Sequence, residues 1–212
     1  MKYKYLFWDL DGTLIDSFLG CKNSFMKVFE YFGLDISGEE CRKYIGPPLR
    51  TTFLKLLNSE EKMKKAVEIY RDWYLPYGQW ESKLFDGIVD VLKILKAKGF
   101  KMYVATSKGE RSAIEILEKY GAIGYFDRVF GADYSLGRVE KEDVLHYAFN
   151  ESKAVKDNSL MIGDSVYDAI GAKILGIDCL AVSYGFGDIN EMKEKGIVYV
   201  ANTPIDIVEF LV

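Results

Sequence analysis

The chain opens with an apolar run, Tyr5-Leu6-Phe7-Trp8, that breaks off at Asp9-Leu10-Asp11-Gly12-Thr13. A short apolar segment closed by acids and a glycine reads as a buried strand whose carboxyl end meets solvent. The period then changes: Phe18, Cys21, Phe25, Val28, Phe29 and Phe32 recur three and four residues apart, which predicts a helix ending near Gly33. A loop and short helix through Tyr44-Ile45-Gly46-Pro47-Pro48-Leu49 lead into Phe53, Leu54 and Leu57, again at helical spacing. Ser59 is a candidate N-cap with Glu60 and Glu61 in the favourable first turn of a longer helix. Its inward face would carry Met63, Ala66, Val67, Tyr70, Trp73, Tyr74 and Tyr77. No strand pattern appears across 17–82, so an all-helical block follows the first strand directly.

After Leu84 the pattern alternates between strand and helix. Helices are expected at 87–98, 110–120, about 141–149 and 166–175, and strands at 101–105, 128–130, 159–162 and 178–182. Short helices at 189–195 and 205–211 flank a weak strand at 198–200. Such alternation implies an α/β fold, a doubly wound and mostly parallel sheet of Rossmann type. The expected division is 1–16 with 83–212 as the α/β core and 17–82 as an inserted helical domain.

Composition adjusts this picture only modestly. The 212 residues are 49% hydrophobic and 28% charged, as in an ordinary globular protein with a substantial core. A net charge of −4 argues against nucleic acid as the main partner. Cys21, Cys41 and Cys179 are scattered without metal-ligand spacing and read as reduced thiols. No segment is long and apolar enough for a signal or a membrane span, so the expectation is a cytoplasmic protein with no membrane partner. The single histidine, His146, falls in a predicted helix, which leaves little material for imidazole chemistry.

In a doubly wound sheet, chemistry collects just past the strand ends. Asp9 and Asp11, one residue apart at the first, are expected to face the same way and to need a cation or a shared proton. Gly12 lets the chain turn, and Thr13 offers a hydroxyl and an amide. The strand ending at Ala105 delivers Thr106-Ser107-Lys108, two hydroxyls and an ammonium suited to phosphoryl oxygens, or simply a helix cap. The strand ending at Ile162 delivers Gly163-Asp164-Ser165-Val166-Tyr167-Asp168, with Asp164 and Asp168 four apart on one helix face, or again merely capping acids. Acids gathered at one sheet edge without imidazole or thiolate point to a hard ion, Mg²⁺ above all.

These stretches together resemble the haloacid dehalogenase superfamily. Phe7-Trp8-Asp9-Leu10-Asp11-Gly12-Thr13-Leu14 is similar to its first motif, and Thr106, a motif lysine and Gly163-Asp164…Asp168 to the other three. The resemblance spans the whole chain, including a helical cap after the first strand. Asp-Gly-Thr-Leu-Ile-Asp-Ser, Ile45-Gly46-Pro47-Pro48-Leu49 and Ala105-Thr106-Ser107-Lys108 look most like phosphoglycolate phosphatase-type members. The third motif departs from the Lys-Pro-x-Pro context of many relatives and reads Gly137-Arg138-Val139-Glu140-Lys141 here, with Lys141 chosen for the role and Arg138 and Lys108 as reserves.

The resemblance implies a Mg²⁺-dependent phosphatase acting on a small phosphate monoester. It casts Asp9 as nucleophile, Asp11 as general acid and base, and Thr106 and Lys141 as phosphoryl-stabilising groups. Asp9, the backbone of Asp11, Asp164 and Asp168 would serve the metal. Gly12, Thr13, Ser107, Lys108, Gly46 and Arg50 are candidate substrate contacts, Arg50 being equally readable as a solvated helix residue. The insertion's aromatics are expected to form its own core. A 5'-nucleotidase, a pyrophosphatase and a sugar-phosphate mutase share the scaffold, although Thr13 and a histidine-free cap favour hydrolysis. A dehalogenase would give Asp11 no leaving group to protonate. A receiver-type signalling domain would be shorter and would carry its acids as an adjacent pair.

Overall fold

In the computed structural model, which describes residues 2–212, the chain runs β1 (Tyr5–Trp8), β2 (Ile15–Asp16), α1 (Phe18–Phe32), α2 (Leu49–Leu57), α3 (Glu60–Tyr74), β3 (Lys83–Leu84) and α4 (Ile88–Ala97). It continues through β4 (Lys101–Gly109), α5 (Glu110–Lys119), β5 (Arg128–Ala132), α6 (Lys141–Ser152), β6 (Ser159–Gly163), α7 (Val166–Leu175), β7 (Asp178–Val182), α8 (Ile189–Lys195), β8 (Tyr199–Ala201) and α9 (Pro204–Leu211). Six strands form one parallel sheet in the order β5-β4-β1-β6-β7-β8. The order reverses at β1, so the carboxyl end of β1 sits where open α/β sheets bind ligands.

Alternation along the strands assigns the two faces. Leu6, Trp8, Met102, Val104, Leu160 and Ile162 pack on one side with α4, α5 and α9. Phe7, Tyr103, Ala105, Phe130 and Met161 pack on the other with α6, α7 and α8. Both faces are covered, which is why these strands read as continuous apolar runs rather than alternating ones.

The helices α1–α3 lie between β2 and β3, a two-stranded antiparallel ribbon joined at Ile15–Leu84 and Asp16–Lys83. Two-residue strands carry no periodicity, and the hydropathy pattern does not show them. The insertion has its own apolar centre around Phe25, Phe29, Phe53, Met63 and Tyr70. Ser59 caps α3 as expected, its hydroxyl accepting from the Lys62 amide at 3.3 Å. At Gly20 a side chain has no room, because an added Cβ would lie 1.9 Å from the Gly78 carbonyl oxygen. Gly20→Ala is therefore expected to cost about 1–3 kcal/mol, read as a lowered thermal midpoint. An unchanged midpoint would show that α1 and the Gly78–Trp80 turn separate freely.

Candidate active site

The first strand ends at Trp8, yet the Asp9 amide still donates to the Ile162 carbonyl at 2.9 Å, so Asp9 is held at the mouth of β6. Beyond it the chain curls: the amides of Thr13, Leu14 and Ile15 all turn back onto the Leu10 carbonyl. Strand alternation therefore stops before Asp11. The expected parallel pair becomes two carboxylates on one cavity with different partners. Asp9 Oδ1 lies 2.8 Å from Lys141 Nζ, whereas Asp11 Oδ2 lies 2.8 Å from Lys108 Nζ.

The Asp9 group is a cluster. Asp9, Asp164 and Asp168 each place a carboxylate oxygen within 4.8 Å of the others, and all three are buried. Lys141, the first residue of α6, reaches Asp168 Oδ1 at 2.7 Å and donates to the Ala105 carbonyl at 3.0 Å. Asp9 Oδ1 and Asp168 Oδ1 lie at ion-pair distance from that ammonium but accept no aligned hydrogen bond. Burial pushes the Asp9 carboxyl up to about 6, with Lys141 opposing and Asp168 adding. Burial, then Asp168 and Asp9, push Asp164 well above the usual carboxylate range. Burial alone would lower the Lys141 ammonium, but Asp168 and Asp9 outweigh it and raise it.

Ionising all three carboxylates against one ammonium would leave an excess of two negative charges in a buried space. A divalent cation matches that excess, and the all-oxygen donor set with two unaligned oxygens fits a hard ion. The Asp11–Lys108 pair beside it is already balanced.

The capping and functional readings of the fourth stretch are both realised. Ser165 and Asp168 form a capping box on α7, the Ser165 amide and hydroxyl donating to Asp168 Oδ2 at 3.0 and 2.8 Å. That leaves Oδ1 turned to Lys141. For Thr106 and Ser107 the capping reading is not realised. β4 runs on to Gly109, which is itself the N-cap of α5. The Ser107 hydroxyl is buried without a partner beside the cavity, and Thr106 Oγ1 accepts the Lys108 amide at 3.2 Å.

Glycines make the close approaches. Gly12 has φ +80, and its added Cβ would lie 2.1 Å from Asp164 Oδ2. Thr13 Oγ1 stands 3.5 Å from Asp164 Oδ1. Gly163 and Gly171 clear the space that Asp168 and Lys141 occupy.

Asp9, Asp11, Thr106, Ser107 and Lys108 lie on a cavity of about 760 Å³ whose opposite wall is the helical insertion, including Gly46. Gly46 has φ +109 and abuts Ser165. Two of the weighed candidates stand away from this cavity. Arg50 is not brought to this cavity: it stands half exposed on α2 and pairs with Glu60 at 3.0 Å. Its helix starts beyond the rigid Pro47-Pro48 turn and points that residue outward. The reserve cation Arg138 donates to the Gly131 carbonyl and pairs with Glu110, away from the acid cluster. The insertion's aromatics also do more than form a core, since Phe25, Tyr44, Tyr70 and Tyr74 face the cavity.

Hydropathy and motif spacing overlooked two features. Tyr74, at the end of α3, has its hydroxyl on Lys108 Nζ, linking the insertion to the cation that holds Asp11. The loop after β7, Gly185-Phe186-Gly187, wraps Asp164, with the Phe186 and Gly187 amides donating to Oδ2 at 2.7 and 3.4 Å. The signal for the second was present: a Gly-x-Gly just past a strand end.

The chain belongs to the haloacid dehalogenase-like hydrolases, whose sequence pattern matches residues 6–182, and within them it is a phosphatase with a buried trio of aspartates. It is similar to a 5'-nucleotidase of Pseudomonas aeruginosa, 32% identical over 195 residues that cover 91% of this chain and 88% of the relative. It is also similar to the Tyrosine-protein kinase PtkA of Mycobacterium tuberculosis, 35% identical over 181 residues, covering 85% of this chain but 62% of that protein. The crystal structure of a predicted phosphatase from Clostridium acetobutylicum superposes with a TM-score of 0.95 at 36% identity, covering 100% of this chain and 99% of that one. Among the described residues no helix is long and apolar enough to cross a membrane.

Proposed function

We propose that this chain is a Mg²⁺-dependent phosphatase that hydrolyses a small-molecule phosphate monoester through an aspartyl-phosphate on Asp9. The observation that carries the reading is the buried Asp9–Asp164–Asp168 cluster with Lys141 on it, open to a cavity beside the unpartnered Ser107 hydroxyl. Asp9, Asp164, Asp168 and the Asp11 backbone would hold Mg²⁺, which when bound supplies positive charge against the approaching phosphate dianion. An Asp9 oxygen forms the new bond to phosphorus while the ester P–O bond breaks, and Asp11 gives its proton to the leaving oxygen. Water then attacks phosphorus as Asp11 takes its proton, releasing phosphate and the free Asp9 carboxylate. Lys141, Thr106 and Ser107 meet the charge that gathers on the transferred oxygens.

The substrate-free Asp11 is held by Lys108, and an incoming phosphate competes for that ammonium. Gly12 and Thr13 complete the floor, and residues 17–82 act as a cap over it. Water is the acceptor in this reading.

Phosphoglycolate is the substrate that the motifs favour. A second reading, a nucleoside monophosphate, is favoured by the cavity itself. Ligand sites of roughly 300–1,000 Å³ suit drug-sized molecules rather than a two-carbon acid, and Phe25, Tyr44, Tyr70 and Tyr74 offer ring surfaces. The test is a phosphate-release screen over phosphoglycolate, nucleoside monophosphates, sugar phosphates and pyrophosphate, ranked by kcat/KM, with and without excess EDTA. Turnover of at least one ester that EDTA stops is expected. Full activity in EDTA, or no turnover of any class, overturns the reading.

A further inference from the structure

The loop after β7 does two things at once. Its backbone grips Asp164: the Phe186 amide donates to Oδ2 at 2.7 Å, and neither flanking glycine could carry a side chain. A Cβ on Gly185 would lie 2.3 Å from the Asp164 Cβ, and one on Gly187 would lie 2.2 Å from the Asp164 carbonyl oxygen. The loop and the carboxylate are therefore in contact without slack, and the loop cannot shift without moving that oxygen's partner.

The side chain between those glycines points elsewhere. Phe186 packs against the apolar centre of the helical insertion, 6.4 Å from the Phe18 ring between centroids. The Arg42 guanidinium covers both rings, 4.6 Å from Phe18 and 5.5 Å from Phe186. Phe18 opens α1, and Arg42 belongs to the 3₁₀ turn Glu39–Tyr44, so two parts of the insertion grasp one core residue. Guanidinium–ring contacts at exposed sites are individually weak, enough to bias the seating of the insertion without locking it.

We propose that Phe186 is a positioning residue that couples seating of the helical insertion to the divalent-cation site, its ring reporting the insertion and its amide setting Asp164. This rests on the reading of Asp164 as a metal ligand. Thermodynamic linkage makes the coupling reciprocal: a seated insertion favours the ion, and the ion favours the seated insertion. Groups that orient a metal ligand typically carry a 10–100-fold effect on affinity, which sets the expected scale.

The experiment is calorimetric titration of metal-free protein with Mg²⁺, in the absence of substrate, for wild type, Phe186→Ala, Phe186→Tyr, Arg42→Ala and Asp164→Asn. Amide hydrogen exchange over Phe18–Phe32 and Glu39–Tyr44 is followed with and without Mg²⁺. Wild type should bind Mg²⁺ and gain protection in both segments, and Asp164→Asn should do neither. Phe186→Ala should bind about tenfold more weakly and lose the Mg²⁺-dependent protection, Phe186→Tyr should restore both, and Arg42→Ala should fall between. Arg42 is exposed, so its variant tests the coupling even if Phe186→Ala fails to fold. Wild-type affinity and wild-type protection in Phe186→Ala, or in Arg42→Ala should the former not fold, overturn the coupling while leaving the metal site standing. Absence of Mg²⁺ binding by wild type, or undiminished binding by Asp164→Asn, overturns the metal reading and the coupling with it.

Discussion

Asp9→Asn is expected to lower phosphate release by at least about 10⁴-fold on every ester the wild type accepts. Asparagine keeps the size of the side chain and its backbone bond to Ile162 but cannot form the acyl phosphate. Retention of wild-type turnover on p-nitrophenyl phosphate would remove Asp9 as nucleophile. The same substitution should also change how metal-free protein responds to pH. Burial pushes the Asp9 carboxyl up to about 6 against an ordinary value near 4. An acid whose folded value is raised contributes stability at low pH that is lost as pH rises through the folded value. Metal-free wild type should therefore lose stability as pH climbs through about 6, and Asp9→Asn should lose less. A pH–stability curve identical in the two proteins would show that Asp9 is not confined as its surroundings require.

Lys141→Met should have the second-largest effect, and on stability as well as rate. The ammonium is 1% exposed and is the cation shared by Asp9 and Asp168. Removing one partner from a buried ionic group costs about 3–5 kcal/mol, because the carboxylates left behind are neither solvated nor paired. In metal-free buffer the variant should melt well below wild type, with kcat reduced by about 10²–10³ through loss of positive charge at the transferred phosphoryl group. Mg²⁺ should raise its melting temperature by more than it raises that of wild type, since the uncompensated carboxylates bind the ion more tightly and an ion that binds only the folded state stabilises more the tighter it binds. Equal Mg²⁺ shifts in the two proteins, with equal stability without metal, would show that Lys141 does not balance the acid cluster.

Most of the fold was legible in order because each element carries its period in its own residues. The stripe Phe18, Cys21, Phe25, Val28, Phe29, Phe32 predicts α1 to its end, and α7, β7 and α8 coincide with their expected bounds. β4 exceeds its expected end by four residues, because Thr106-Ser107-Lys108-Gly109 are polar yet still extended beside β5. β2 and β3 were illegible, since two residues cannot show alternation and their pairing spans the whole insertion. Lys141 is preferred over Arg138 and Lys108 on its place at a helix start and on the family resemblance, because its own partner leaves no local mark. Nothing local distinguishes a lysine that caps a helix from one that reaches a carboxylate just past β1.

Local sequence carries the residue types at the site: the Asp9-x-Asp11 pair, the Thr106-Ser107 hydroxyls and the Asp164…Asp168 acids. Those follow from local rules, because a strand end, a glycine turn and a helix start are written within a few residues. Tertiary structure alone decided the partnerships. It put Lys141 on Asp9 and Lys108 on Asp11, turned Arg50 outward to Glu60, and brought Phe186 and Tyr74 to the site. Such pairings join segments far apart in the chain. Parallel strand order, glycine-permitted approach and helix packing set those distances, and hydropathy along the chain does not encode them.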